Sequence, residues 1–138
     1  MDKIINITDN NGRNQKDPLV SILCITFNHA NFIRNTLEGF LIQKTNFPIE
    51  IIIYDDASQD GAQMIIKEYE AHFPSIIKPI YQGENQYSKN VDVGKDFIFP
   101  NIKSKYIAIC EGDDYWTDPL KLQKQVDFLE KNEEFGLV

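Results

Sequence analysis

Four short apolar runs are separated by longer polar segments, which is the pattern of alternating strands and helices. The runs cover residues 20–25, 49–54, 76–81 and 106–110. Near-continuous runs of this length predict strands that are buried on both faces of a parallel sheet. The third run is weaker and contains Pro79, so we expect that strand near an edge of the sheet. Apolar residues at helical spacing predict helices over about residues 31–43, 60–72, 92–99 and 119–131.

This alternation predicts an α/β fold in which a mostly parallel sheet of at least four strands is flanked by helices. Residues 18–138 are predicted to form the domain, preceded by a polar, flexible leader over residues 1–17. Residues 134–138 end on an apolar group, which we interpret as the start of a further strand. We therefore expect the chain to be the amino-terminal portion of a longer protein.

Composition limits which binding partners and which cellular compartment we expect for the protein. The net charge of −7 argues against nucleic-acid binding driven by bulk charge. No apolar run approaches the roughly 18 residues of a membrane span, nor does the amino terminus resemble a signal peptide. Cys24 and Cys110 both lie within apolar runs, so we expect buried free thiols in a reducing, cytoplasmic location.

Polar residues follow three of the predicted strands. They are residues 26–28, residues 55–56 and residues 111–114. Ligands of open parallel sheets bind where the strands have their carboxyl ends. The fold prediction therefore brings these three sets, far apart in sequence, to one edge of the sheet, which we call the rim.

The acids at residues 111–114 are the strongest candidates for chemistry. Glu111, Asp113 and Asp114 lie within four residues of one another, and carboxylates this close repel unless a cation or hydrogen-bond donors lie among them. Hard oxygen ligands suit Mg²⁺ or Mn²⁺ held by one or two carboxylates and completed by substrate phosphates. The alternative is a solvated acidic loop before a helix. The other acidic pair, Asp55 and Asp56, could accept hydrogen bonds from a nucleobase or ribose, or could serve only in a turn and helix cap.

Several further residues allow two interpretations. Phe27, Tyr115 and Trp116 could border a ligand or pack in the interior. His29 is interpreted as a surface residue. Lys89 and Lys95 are either solvated or neutralise a diphosphate. The sequence contains neither a Walker A motif nor GxGxxG, which argues against dedicated P-loop and dinucleotide sites.

Three ordered segments together resemble the family 2 glycosyltransferases of the GT-A fold. They are residues 20–28 (VSILCITFN), 52–58 (IIYDDAS) and 111–122 (EGDDYWTDPLKL). The last segment is similar to the metal-binding DXD motif of that family. The resemblance implies a Rossmann-like nucleotide-binding architecture. The nucleotide-binding residues that it implies are Thr26, Phe27, Asn28, Asp55, Asp56 and Asp113.

The resemblance also implies roles for these residues. Asp56 would accept a hydrogen bond from the base, Asp113 would contact the ribose or sugar, and Asp114, with Asp113, would bind Mn²⁺ or Mg²⁺. The implied donor is a nucleoside-diphosphate sugar, with a UDP-sugar favoured. The implied acceptor is a saccharide or lipid-linked saccharide of cell-surface polysaccharide synthesis, at the inner face of the membrane or in the cytoplasm. The general base is expected beyond residue 138, in an acceptor-binding half.

Two other classes remain as alternatives. A nucleotidyltransferase also has an α/β nucleotide-binding sheet and an acidic metal site, but it normally has a glycine-rich basic loop where residues 26–29 read Thr-Phe-Asn-His. A receiver-like signalling module has its acidic pair after the first strand. Here the acidic pairs follow the second and fourth predicted strands.

Overall fold

The structure, a computed structural model, describes residues 3–6 and 17–138. The strands are β1 (Lys3–Asn6), β2 (Val20–Thr26), β3 (Ile49–Asp55), β4 (Ile77–Tyr81) and β5 (Tyr106–Ile109). The helices are α1 (Ile33–Leu41), α2 (Ala62–His72) and α3 (Lys121–Lys131). Two 3₁₀ turns, Tyr87–Lys89 and Phe99–Asn101, and a π-helical segment, Gly94–Ile98, lie between β4 and β5.

All five strands form one sheet in the order β1-β5-β2-β3-β4. β2 pairs in parallel with both β3 and β5, and β3 pairs in parallel with β4. The predicted α/β fold with a mostly parallel sheet is therefore confirmed. β4, which contains Pro79, lies at one edge of the sheet as expected.

Two predicted segments differ from the structure. Residues 3–6, assigned to a flexible leader over 1–17, instead form β1, which pairs antiparallel with β5. Two consecutive isoleucines in a polar stretch are too short a pattern to predict a strand. Residues 1–2 and 7–16 of that leader lie outside the described residues. The predicted helix at 92–99 is a π-helical segment followed by a 3₁₀ turn that contains Pro100. Proline has no N–H to donate, so a regular helix does not continue through residue 100.

Apolar side chains cover both faces of the sheet. One face packs against the helices through residues such as Ile22, Ile51 and Leu37. The opposite face is covered by the segment between β4 and β5, where Ile98 packs with Leu23 and other residues. Full burial of one such side chain stabilises the fold by about 1.5–3 kcal/mol. Among the described residues, no helix has the length and apolar character to span a membrane.

Both cysteines are buried free thiols, as predicted. Cys24 follows Leu23 in β2 and Cys110 follows Ile109 of β5, and Leu23 and Ile109 are register partners. Burial raises the pKa of the Cys24 thiol, and the nearby Cys110 raises it further. Cys24 is therefore a core residue that stays protonated at neutral pH.

Helix α1 approaches the segment after β5 closely at Gly39. A Cβ at this position would lie 2.8 Å from the carbonyl oxygen and 2.9 Å from the amide nitrogen of Trp116. The Trp116 ring in turn packs edge-on against Phe40, with 4.9 Å between ring centroids. This contact fixes the chain just beyond the acidic segment against α1.

Substituting Gly39→Ala should lower the free energy of unfolding by up to about 2 kcal/mol. The added methyl group meets backbone atoms, which cannot rotate away, and overpacking of this kind costs about 1–3 kcal/mol. The higher helix propensity of Ala returns at most about 1 kcal/mol. Urea denaturation measures the change. Gly83→Ala is the control, since a Cβ there has no atom within 4 Å, and an equal effect of both substitutions would contradict the packing argument.

Candidate functional site

The order of the strands reverses at the carboxyl ends of β2 and β5, the position at which open α/β sheets form a ligand-binding crevice. The chain proceeds from β2 to β3 to β4 on one side, and then returns to place β5 on the other side of β2. Ligands of open α/β sheets bind at such a reversal of strand order. Thr26 is the register partner of Asp55, and the amide of Gly112 donates to the Ile25 carbonyl oxygen at 3.0 Å. The three polar sets predicted for the rim do come together there.

The loops after β2 and β3 hold each other through Asn28 and Ser58. The Asn28 amide donates to Ser58 Oγ and the Gln59 amide donates to Asn28 Oδ1, each at 2.9 Å. Asn28 and Ala57 have left-handed φ values of 55° and 65°, a conformation that is uncommon for residues other than glycine. Asn28 is thus occupied in shaping the rim.

The Asp56 side chain is 4% exposed and accepts three hydrogen bonds. Its Oδ1 accepts from the Gln86 amide at 2.7 Å and from the Tyr54 hydroxyl at 3.2 Å. Its Oδ2 accepts from the Tyr87 amide at 3.1 Å. Burial, and then the nearby Asp56 charge, raise the pKa of the Tyr54 phenol, which therefore stays a donor at neutral pH. A carboxylate offers about four acceptor positions, so one position on Oδ2 is left.

Asp55 is fully buried. Its Oδ1 accepts from the Ser58 amide at 3.0 Å and from Gln63 Nε2 at 2.6 Å. Its Oδ2 is the one buried side-chain oxygen or nitrogen without a hydrogen-bond partner in residues 17–138. Buried polar atoms are nearly always hydrogen-bonded, and exceptions call for an explanation. Asp55 Oδ2 is therefore an acceptor at this end of the rim.

The acidic turn, residues 111–114, is fastened to β2 and α1. The buried hydroxyl of Thr36 donates to the Asp114 carbonyl oxygen at 2.6 Å. The same hydroxyl lies 3.0 Å from the Gly112 carbonyl oxygen. The Asp114 amide donates to the Glu111 carbonyl oxygen at 3.1 Å. The backbone of the turn is therefore fixed, while the carboxylate-bearing residues Glu111, Asp113 and Asp114 are all exposed.

His29 links two of the predicted residues. Its Nδ1 lies 3.1 Å from Thr26 Oγ1, and its Nε2 lies 3.9 Å from Asp113 Oδ2. From the sequence, His29 is interpreted as a surface residue and Thr36 is not singled out. A hydroxyl residue on the apolar face of α1 was the available sign for Thr36. For His29 no sequence pattern distinguished a rim position from a surface one.

The donor set at the acidic turn fits a hard divalent cation. Asp113 and Asp114 offer exposed carboxylate oxygens on a fixed backbone, which is the ligand chemistry of Mg²⁺ and Mn²⁺. Across the described part of the chain, no group of three or more His, Cys, Asp or Glu side chains could hold a metal ion on its own. A cation here would therefore take its remaining ligands from water or from a bound molecule.

The structure separates the remaining candidates. Phe27 is 44% exposed on the rim and Tyr115 is 60% exposed, so both are accessible to a ligand. Trp116 is buried, and Lys121 Nζ lies 4.3 Å from its ring centroid. Lys89 forms an ion pair with Glu84. The packing interpretation thus holds for Trp116 but not for Tyr115.

Residues 21–137 match the family described as Glycosyl transferase family 2. The match spans most of the chain and includes all three polar sets of the rim. The chain belongs to glycosyl transferase family 2. This membership confirms the resemblance drawn from the three motifs, and it favours that interpretation over the nucleotidyltransferase and receiver-like alternatives.

Relatives of this family 2 chain occur in several bacteria. Uncharacterized protein Rv1520 of Mycobacterium tuberculosis is 44% identical over 117 residues, which are 83% of this chain and 32% of that protein. The Escherichia coli enzyme WfaP, a UDP-Glc:alpha-D-GlcNAc-diphosphoundecaprenol beta-1,3-glucosyltransferase, is 34% identical over 117 residues, which are 85% of this chain and 43% of WfaP. The chain therefore spans 32% of the length of Rv1520 and 43% of the length of WfaP, which is less than half of either relative.

Solved structures of similar fold include two glycosyltransferases with bound ligands. Staphylococcus aureus TarS 1-349 in complex with UDP-GlcNAc has a TM-score of 0.68 at 19% identity, over 83% of this chain and 32% of that one. The mannosyltransferase PcManGT of Pyrobaculum calidifontis, in complex with GDP-Man and Mn²⁺, has a TM-score of 0.65 at 19% identity, over 90% of this chain and 34% of that one. These likenesses establish the GT-A fold of the family 2 chain.

Substituting Gly112→Ala should displace the acidic turn and lower the free energy of unfolding by about 1–3 kcal/mol. A Cβ at Gly112 would lie 2.5 Å from Thr26 Oγ1, 2.7 Å from Thr26 Cβ and 2.8 Å from His29 Nδ1. Urea denaturation measures the loss, and amide chemical shifts of Asp113 and Asp114 report the displacement. Gly136→Ala is the control, because a Cβ there meets no atom within 4 Å. Unchanged shifts in the Gly112 variant would contradict the close packing of the turn.

Proposed function

We propose that this chain forms the donor-binding part of a glycosyltransferase that uses a nucleoside-diphosphate sugar. The observation that carries the proposal is the meeting, at the reversal of strand order, of the buried acids Asp55 and Asp56 with the exposed acidic turn. One acidic group suits the N–H and O–H donors of a nucleoside. The other suits a cation that bridges to phosphates.

The proposed roles follow from the environment of each residue. The remaining acceptor position on Asp56 Oδ2 suits an N–H donor of the base, with Asp55 beside it. Phe27, 44% exposed, offers its ring as a wall for the base or ribose, between Thr26 and Asn28. On the other side of the crevice, Asp113 is assigned to the ribose or sugar.

Asp114, with Asp113, is proposed to hold Mn²⁺ or Mg²⁺. Such a cation, when bound, supplies positive charge that stabilises a departing nucleoside diphosphate. The contribution of this chain is to keep the ligand oxygens in place, since Thr36 fixes the Asp114 carbonyl oxygen at 2.6 Å. The Mn²⁺ bound with GDP-Man in PcManGT supports the choice of metal.

We propose a UDP-sugar as the donor and a saccharide or lipid-linked saccharide as the acceptor, in cell-surface polysaccharide synthesis. Support comes from the UDP-Glc donor and diphosphoundecaprenol-linked acceptor named for WfaP, and from the UDP-GlcNAc bound to TarS. Lipid-linked acceptors would bring the protein to the cytoplasmic face of the membrane. That location is part of the proposal.

Calorimetric titration of the chain with UDP, and separately with GDP, tests the donor site. With Mn²⁺ present we expect one of the two, UDP by preference, to bind with a measurable Kd, and to bind at least tenfold more weakly after the metal is chelated. Uridine is the control, because a nucleoside without phosphates gives the metal nothing to bridge. Absence of binding by both diphosphates in the presence of Mn²⁺ would contradict the proposal.

Replacing Asp114 with Ala should abolish the metal-dependent part of nucleotide binding and leave the fold intact. The substitution removes a metal ligand and also relieves repulsion among the neighbouring carboxylates, so no loss of stability is expected. Calorimetry measures binding, and thermal denaturation measures stability. Asp127→Ala changes the net charge equally on the exposed side of α3 and should bind like the wild type. Unchanged affinity in the Asp114 variant would refute the metal assignment.

A further inference from the structure

The turn at residues 84–90 has its own internal hydrogen bonds. Asn85 Oδ1 accepts from the Ser88 amide at 2.8 Å, and the Ser88 hydroxyl donates to the Asn85 carbonyl oxygen at 3.1 Å. The Lys89 amide donates to the Gln86 carbonyl oxygen at 3.0 Å. The turn is therefore a preformed unit and not an extended loop.

This turn has no apolar anchor. None of residues 84–90 is buried, and the ring of Tyr87 is 82% exposed. Side-chain packing on the core, which holds the helices in place, is therefore not available to fix its position. Something else must hold the turn against the rim.

Asp56 supplies that attachment. Within the described residues, every hydrogen bond between the turn and the rest of the chain ends on Asp56. The carboxylate accepts from the amides of Gln86 and Tyr87 at 2.7 and 3.1 Å, and Asn85 Nδ2 donates to the Asp56 carbonyl oxygen at 3.3 Å. Bonds from backbone N–H groups to a carboxylate are charge-assisted and stronger than neutral ones, and Asp56 is 4% exposed.

We infer that Asp56 is a positioning residue, which fixes the 84–90 turn so that Tyr87 forms one wall of the nucleotide site. The inference rests on the proposed function, because it assigns a further part of the same site. Asp56 itself is held at the rim, since its amide donates to the Thr26 carbonyl oxygen at 3.0 Å. One side chain thus sets the distance between the turn and the end of β2, where Phe27 lies.

Amide hydrogen exchange, measured residue by residue by NMR, tests the attachment. In Asp56→Asn the exchange of the Gln86 and Tyr87 amides should become at least tenfold faster, because Asn presents a single acceptor oxygen and no charge. Asp60→Asn is the matched control. Asp60 also accepts from two backbone amides, those of Ala30 and Ala62 at 2.8 and 3.0 Å. That variant should speed exchange at Ala30 and Ala62 alone, and unchanged exchange at Gln86 and Tyr87 in the Asp56 variant would overturn the inference.

Asn85→Ala separates positioning from direct contact, because it leaves the Asp56 carboxylate intact and removes a half-buried side chain that braces the turn. If the turn forms a wall, the Kd for UDP with Mn²⁺ should rise at least fivefold in Asn85→Ala and in Tyr87→Ala, with an unchanged melting temperature. If both variants bind UDP with the Kd of the wild type, the turn does not form a wall of the nucleotide site, and the proposed function is unaffected. Failure of the wild type to bind UDP or GDP would instead refute both the proposed function and the role of the turn as a wall. The exchange rates would still test whether Asp56 holds the turn.

Discussion

The parallel pairing of β2 with both β3 and β5 is the constraint on which the site depends. It aligns Thr26 with Asp55 and Leu23 with Ile109, so the segments that follow these strands leave the sheet at the same edge. Two backbone bonds continue the alignment beyond the ladders, from the Asp56 amide to Thr26 and from the Gly112 amide to Ile25, each at 3.0 Å. A shift of either neighbour by one residue would turn its side chains to the opposite face and separate the acids.

Within this frame the acids are accommodated in two different ways. Asp56 is buried and satisfied by three donors, whereas the acids of residues 111–114 remain exposed to water. Asp55 is an intermediate case. It is buried, its Oδ1 accepts hydrogen bonds and its Oδ2 has no partner. Leaving such an atom unsatisfied costs about 1–3 kcal/mol. A donor from a ligand or from a water molecule at that oxygen would recover part of this energy.

The sequence predicts the elements of this fold better than it predicts their contacts. Near-continuous apolar runs identify β2, β3 and β5, and their order along the chain brings the predicted rim residues together. The hydrogen bonds that Thr36 and Asp56 make to other parts of the chain could not be predicted, because each depends on partners far along the sequence. Thr36 bonds to Asp114 across 78 residues, and Asp56 bonds to Gln86 across 30. β1 was missed for a similar reason, since four residues form a strand only because β5 offers them an edge.

The proposed function also explains why nucleotide binding and metal binding should be one event. The acidic turn carries three exposed carboxylates, and a nucleoside diphosphate is itself an anion. Two unit charges about 4 Å apart near a protein surface interact by roughly 4 kcal/mol, so a diphosphate beside this turn would be repelled by more than most single hydrogen bonds contribute. A divalent cation between them converts that repulsion into two attractions. The same acids that exclude an unaccompanied diphosphate would then select the metal complex of the nucleotide.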